Sequence, residues 1–208
     1  MARILISLVL AASLLPGTVA PDERPAKGKL LVATEVIHGD LFTRTVVLLL
    51  HYDASGAVGL VINRPTDVHP QELLADDEEI AAYDGTLYWG GPVDMNSVRA
   101  VLRSATPPPN AEPVVGTVYL LPYADALAEV SVGTSQLRFF IGMASWAPGQ
   151  LNHELVRGSW VVVPATDERI FAQDPRLLWQ RLAPHEVFRA ASGGAGGDLS
   201  PIAGSSDR

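Results

Sequence analysis

The stretch Gly142 to Leu155, "GMASWAPGQLNHEL", gathers most of the side chains that could do chemistry. The run "HELVR" at 153–157 starts like a zinc-protease helix, but the position one turn after His153 is Arg157. The two-imidazole zinc platform is therefore missing. Ser145 could serve as a nucleophile, yet "MASWA" lacks the G-x-S-x-G elbow that exposes a serine on a strained turn. Two other readings stay open. The segment is a corner joining a strand to a helix, anchored by Trp146. Alternatively it is a polar binding site on that corner, offering helix N-terminal N–H groups, the Gln150 amide, the Glu154 carboxylate and the Trp146 indole. On a helix starting near Pro148, Leu151 and Leu155 share one face. Gln150 and Glu154 flank that face and turn toward the "NRP" segment at 63–65. A half-buried carboxylate needs a charged or hydrogen-bonding mate, so Arg44 or Arg64 is the expected partner of Glu154.

The other polar candidates are weaker. His51 lies beside Asp53 and Ser55, but residues so close in one turn cannot form an extended relay, and local turn bonding is expected. Glu154 or Ser145 would be needed as a partner if His51 served a hydrolase. Asn63 can cap the end of a buried strand, and Arg44 or Arg64 can bind an anion through the planar guanidinium fork. His38, His69, His153 and His185 have no ligand spacing, so no metal site is expected and no cofactor. Gly90-Gly91-Pro92 lacks the lysine and following helix of a phosphate loop and reads as a turn.

The elements that must position these residues can be traced along the chain. "GKLLVAT" (28–34) is a β-type run. "TVVLLL" (45–50) and "AVGLVI" (57–62) read as an antiparallel pair joined by a turn at 51–56, with a bulge or close backbone approach at Gly59. A helix follows with Pro70 in its first turn. Strands are expected at 86–93, "SVRAVLR", "TVYLL", "QLRFFIG" (136–142) and "SWVVVPA" (159–165), with 107–113 as an exposed loop. Short helices are expected at "YADALAEV" and, with Pro at its first position, at 175–183. Strands come in runs rather than in alternation with helices, which predicts an α+β fold with a mixed, curved or barrel-like sheet.

Bulk properties exclude several classes. The chain has 208 residues, 48% hydrophobic and 18% charged, enough apolar material for one domain with a real core. It has no Cys, which removes thiol catalysis, zinc–thiolate sites and disulfides. The formal net charge of −8 argues against a nucleic-acid binder. No Lys or Arg occurs between Arg64 and Arg99, and "DDEE" at 76–79 reads as a solvated acidic helix end or loop; it lacks the alternating ligands and turn glycine of a calcium loop.

The N-terminus carries an address. Arg3, the apolar run Ile4–Leu15 and the small residues Thr18-Val19-Ala20 form the pattern of a secretory signal, shorter than the ~20 residues of a span. Residues 1–20 are read as a signal peptide, 21–27 as a linker, 28–190 as the domain and 191–208 as a disordered Gly/Ser-rich tail. A periplasmic or otherwise exported protein is expected. Pro21 is a poor residue after a cut, so the alternative is an uncut leader that associates with a membrane through residues 4–20.

Three blocks carry a family resemblance: 28–66, "YWGGPVDMNSV" (88–98) and 140–171. In this order they resemble the YqgE/AlgH family, also known as UPF0301 or DUF179. Matching positions include Phe42, Arg44, His51, Gly59, Asn63, Arg64 and Pro65, then Gly90 to Val93, then Gly142, Trp146, Pro148 to Leu151, Glu154, Leu155 and Trp160. The chain departs at Ser145, at Asn152-His153 and in its leader. The resemblance implies a largely antiparallel, bifurcated, pseudo-barrel sheet with flanking short helices. It implies no chemistry, although one branch bears the label of transcriptional regulator. The expected function is a non-enzymatic accessory protein of the envelope that holds an unknown protein or small-molecule partner. The candidate binding or structural motif is Arg44, His51, Asn63, Arg64, Trp146, Gln150 and Glu154, with no catalytic residue assigned.

Overall fold

The computed structural model describes residues 24–39, 41–74, 77–133 and 136–183. The leader, and the tail expected from 191 onward, lie outside the described residues. Nine strands form one curled sheet: β1 (Lys29–Ala33), β2 (Val46–Asp53), β3 (Gly56–Val61), β4 (Tyr88–Trp89), β5 (Val93–Arg103), β6 (Glu112–Val115), β7 (Val118–Pro122), β8 (Leu137–Trp146) and β9 (Trp160–Pro164). Their order is β6-β7-β5-β8-β3-β2-β1-β9, with β4 added to β8 as a parallel strand. All other pairings are antiparallel. The helices are short: α1 (Pro70–Leu73), α2 (Tyr123–Leu127), α3 (Gln150–Val156), α4 (Asp167–Ile170) and α5 (Leu178–Leu182). This is the expected α+β architecture, a mixed, mostly antiparallel sheet curled into a half-barrel.

The bifurcation lies in β8. Its first half pairs with β5, from Leu137 to Ile141, and its last residues pair with β3, from Ala144 to Trp146. Gly142 stands at the changeover with φ of +70°, a conformation that favours glycine. A side chain there would meet the Gly91 carbonyl at 2.3 Å, and one on Gly91 would meet Met143 backbone at 2.2 Å. The two glycines let the loop after β4 press onto β8. The expectation that the strand ends at Gly142 is corrected: a left-handed residue here redirects the strand, and β8 continues to Trp146. Curling brings the far edge back toward β1. Lys27 bonds to Glu112, and a Cβ on Gly28 would meet the Val114 carbonyl at 2.7 Å.

Two apolar clusters result. The larger gathers β1, β2, β3 and β9 with α5, and includes Leu30, Leu48, Leu49, Leu60 and Trp179. The smaller packs Ile80, Tyr83, Leu102 and Phe139 between β5, β8 and α2. The β2–β3 pair forms as expected, but the strands extend further, leaving only Ala54-Ser55 between Asp53 and Gly56. His51 therefore lies within β2 and not in a turn. The register shift between Leu49 and His51 falls opposite Gly59, where a side chain would strike Val47 at 2.6 Å. The helix expected after Pro70 divides into α1 and a 3-10 turn at Glu78–Ala82. His69 and Glu72 cap α1 reciprocally.

Candidate functional site

The opening corner is built as follows. β8 delivers Trp146 into the core, 5% exposed. The chain turns through Ala147 and Pro148, and Gly149, at φ +75°, admits the left-handed step that starts α3. Gln150 closes the turn by accepting the Ala147 N–H at 3.0 Å. Its amide N–H donates to Glu154 Oε1 at 2.9 Å, one helical turn away. Glu154 Oε2 accepts from both Trp146 Nε1, at 2.9 Å, and Trp160 Nε1, at 2.8 Å. The two indoles meet edge to face at 5.9 Å, and Phe42 packs on both, at 6.3 and 6.0 Å.

The expected Arg partner of Glu154 is thus corrected. The carboxylate is held by three neutral donors. Arg64 donates to the carbonyls of Leu41, at 2.6 Å, and Thr43, at 3.0 Å, and lies over Trp89. Arg44 lies over Trp179, with φ of +57°. Asn63, buried, accepts the Val46 N–H at 2.8 Å and donates to the Arg44 carbonyl at 2.9 Å, which pins the start of β2. Arg64 and Asn63 therefore both fasten the 41–46 segment that carries Phe42 onto the indoles. Trp146, Gln150 and Glu154 come together; Arg44 and Arg64 act on them through this segment and its aromatic contacts, and neither bonds to Glu154.

His51 lies near the exposed end of the β2–β3 hairpin, which meets the corner where Tyr52 donates to Asn152 Oδ1 at 2.6 Å. His51 Nε2 lies 3.1 Å from Asp53 Oδ2. Ser55 donates to Asp53 Oδ1 from its N–H, at 2.7 Å, and from its hydroxyl, at 2.5 Å. These Ser55 bonds, with His51 adding less, hold the Asp53 carboxyl below the usual range. The hydroxyl proton faces a carboxylate and not the imidazole, so no nucleophile–base pair forms. Glu154 makes its bonds with Trp146, Trp160 and Gln150, none of them with His51. Among the described residues no three His, Asp or Glu side chains gather as a metal site.

A cleft of about 800 Å³ lies elsewhere, beside the β4–β8 contact. Its walls include Tyr83, Tyr88, Phe171, Arg103 and Arg138. Arg138 is on β8, inside the run "LRFFIG", and is 6% exposed. It donates to the carbonyls of Ile170, at 2.9 Å, and Ala172, at 2.6 Å. Its guanidinium lies over Tyr88, at 5.1 Å, and Phe171, at 5.4 Å. Burial pulls it below its ordinary value, and Tyr88 and Tyr83 oppose that shift. Arg103 lies over the same Phe171 ring at 5.2 Å. The antiparallel register sets Val101 opposite Arg138, so Arg103 is its diagonal neighbour on the same face.

The AlgH-like family model, DUF179, matches residues 30–188. The chain belongs to this family. A UPF0301 protein of Streptomyces coelicolor is 34% identical over 182 residues, covering 85% of this chain and 90% of the relative. Another, from Streptomyces avermitilis, is 35% identical over 164 residues, covering 74% and 83%. The solution structure of AlgH from Pseudomonas aeruginosa shares 25% identity with a TM-score of 0.57, covering 90% of this chain and 100% of that one. A crystal structure of a protein from Corynebacterium diphtheriae gives 0.66 at 25% identity, covering 83% and 90%. Within this AlgH-like chain, the cleft residues are not among those expected from the sequence. The available signal was Arg138, a lone charge in an apolar strand. Phe42 and Trp160 are expected there only as family positions without a role; their sequence signal was two Trp residues, 146 and 160, bracketing the helix that carries Glu154.

Proposed function

We propose that this AlgH-like chain is a non-enzymatic binding protein, exported to or anchored at the cell envelope, that holds a small ligand in the cleft beside Arg138. The observation that carries the reading is the separation of the polar groups. The cleft presents aromatic rings and guanidinium groups, as a binding pocket does, without a nucleophile and base in contact. His51, Ser145 and Glu154, the groups a hydrolase would draw on, are not among the cleft's lining residues. The leader pattern at Arg3, Ile4–Leu15 and Thr18-Val19-Ala20 supports the envelope address.

Fractionation of cells producing the full chain tests the address, with N-terminal sequencing of the product. A mature start at Pro21 in the exported fraction is expected, or an intact N-terminus in membranes for the anchored form. A cytoplasmic protein retaining Met1 overturns it. Recovery of a bound small molecule from the same fraction tests the binding role, and turnover of a substrate by the purified chain overturns it.

A further inference from the structure

We infer that the Arg138 cleft binds the carboxylate of a small organic acid, with Arg138 and the Tyr88 hydroxyl as its anchoring donors. This rests on the binding reading above and names the ligand's head group. A guanidinium carries five N–H donors. Arg138 gives two bonds, to the Ile170 and Ala172 carbonyls, and no carboxylate lies in ion-pair range of it among the described residues. A buried charge without a counter-charge is unfavourable, and rings and carbonyls offset that only in part. Arg103, sharing the Phe171 ring, adds a like charge. An incoming anion supplies what the site lacks.

Tyr88 points to the same place. It is 7% exposed, lines the cleft and packs under Arg138. Its hydroxyl has no hydrogen-bond partner among the described residues and is not sealed from solvent. Tyr83, by contrast, spends its hydroxyl on the Leu137 carbonyl at 2.9 Å. A planar carboxylate can take the guanidinium fork and the phenol proton together.

The rim selects the charge. Asp84, Glu168 and Asp174 line the cleft at exposed positions. Arg181 is exposed there too, but the three carboxylates outnumber it and repel a dianionic phosphate, whereas a single carboxylate balances the Arg138 guanidinium. The cleft's about 800 Å³ leaves room for a tail of small-metabolite size.

The test is a ¹H–¹⁵N NMR titration of the full chain with sodium acetate, sodium phenylacetate and inorganic phosphate at constant ionic strength. Both carboxylates are expected to shift the Arg138 Nε–H resonance and the amides of 84–88 and 171–174 saturably. Arg138→Ala would also remove two bonds of the fold, so Arg138→Lys and Tyr88→Phe are the variants. Affinity should fall about tenfold or more in the first and about threefold or more in the second. Tyr88→Phe removes only a hydroxyl that the fold does not use, so its result stands even where Arg138→Lys lowers the melt. Shifts that do not saturate, or unchanged affinity in Tyr88→Phe, overturn the inference. Phosphate saturating the same resonances at lower concentration than acetate overturns the single-charge assignment. A ligand without a carboxylate recovered from the cleft would overturn this inference and leave the binding reading standing.

Discussion

Removing the Glu154 carboxylate should destabilise the fold by an amount set by two indoles. Trp146 and Trp160 are 5% and 4% exposed, and both donate their N–H to the same Glu154 oxygen. In Glu154→Ala each indole loses its acceptor, and an unsatisfied buried donor costs about 1–3 kcal/mol. Glu154 is only half-buried, so water relieves part of this, and a loss of about 3–4 kcal/mol is expected. For a domain of this size that lowers Tm by roughly 6–16 °C. Glu154→Gln keeps one acceptor oxygen for the indoles but turns its amide toward the Gln150 N–H. Gln150 cannot invert freely, because its oxygen already accepts from Ala147. About 1–2 kcal/mol is expected there. Urea unfolding followed by tryptophan fluorescence reads both, as a lower midpoint at unchanged slope. Glu154→Ala within about 0.5 kcal/mol of the parent refutes the reasoning. So does an Arg64→Met loss of the same size that fails to add to it, since that would restore an Arg64–Glu154 pair.

Leu49→Asp buries a charge at a fully buried position of β2 and should cost about 3 kcal/mol or more; a melt near that of the parent contradicts the β2–β3 register. Gly91→Ala and Gly142→Ala should each cost about 3 kcal/mol or more, because both glycines have positive φ and their Cβ atoms would strike backbone. Soluble variants with parent-like melts contradict the strand crossing. Burial raises the Tyr83 phenol above its ordinary value, so the folded state favours the neutral form. Its stabilising contribution is complete below the unfolded value of about 10 and is lost as pH rises from there toward the higher folded value. Stability measured against pH should decline above about pH 10, less steeply in Tyr83→Phe.

The strand pairs were legible because β-branched and aliphatic runs at 45–50, 57–62 and 159–165 are bounded by turn residues, and local chemistry decides there. The corner was legible for a similar reason: Leu151 and Gly158 mark a helix face and its end, and Trp146 needs burial. Gly142 misled because a glycine after an apolar run ordinarily ends a strand. Its role here depends on Gly91, 51 residues away in sequence, which local pattern cannot pair with it. The partner of Glu154 was misread for an electrostatic reason: a carboxylate suggests a cation, whereas two indole N–H groups and an amide satisfy it without one. The cleft was least visible. Arg138 sits between Leu137 and Phe139, and only the approach of β4 and the residues after α4 converts that charge into a wall of a pocket.

Native mass spectrometry of the full chain, purified from the cells that produce it, tests the Arg138 cleft most directly. A small adduct of discrete mass is expected on the parent protein. That adduct should be released on unfolding, retained in Glu154→Gln and lost in Arg138→Lys. An adduct that survives Arg138→Lys but disappears with Glu154→Gln would overturn the assignment to the Arg138 cleft, because it would place the binding site at the tryptophan corner.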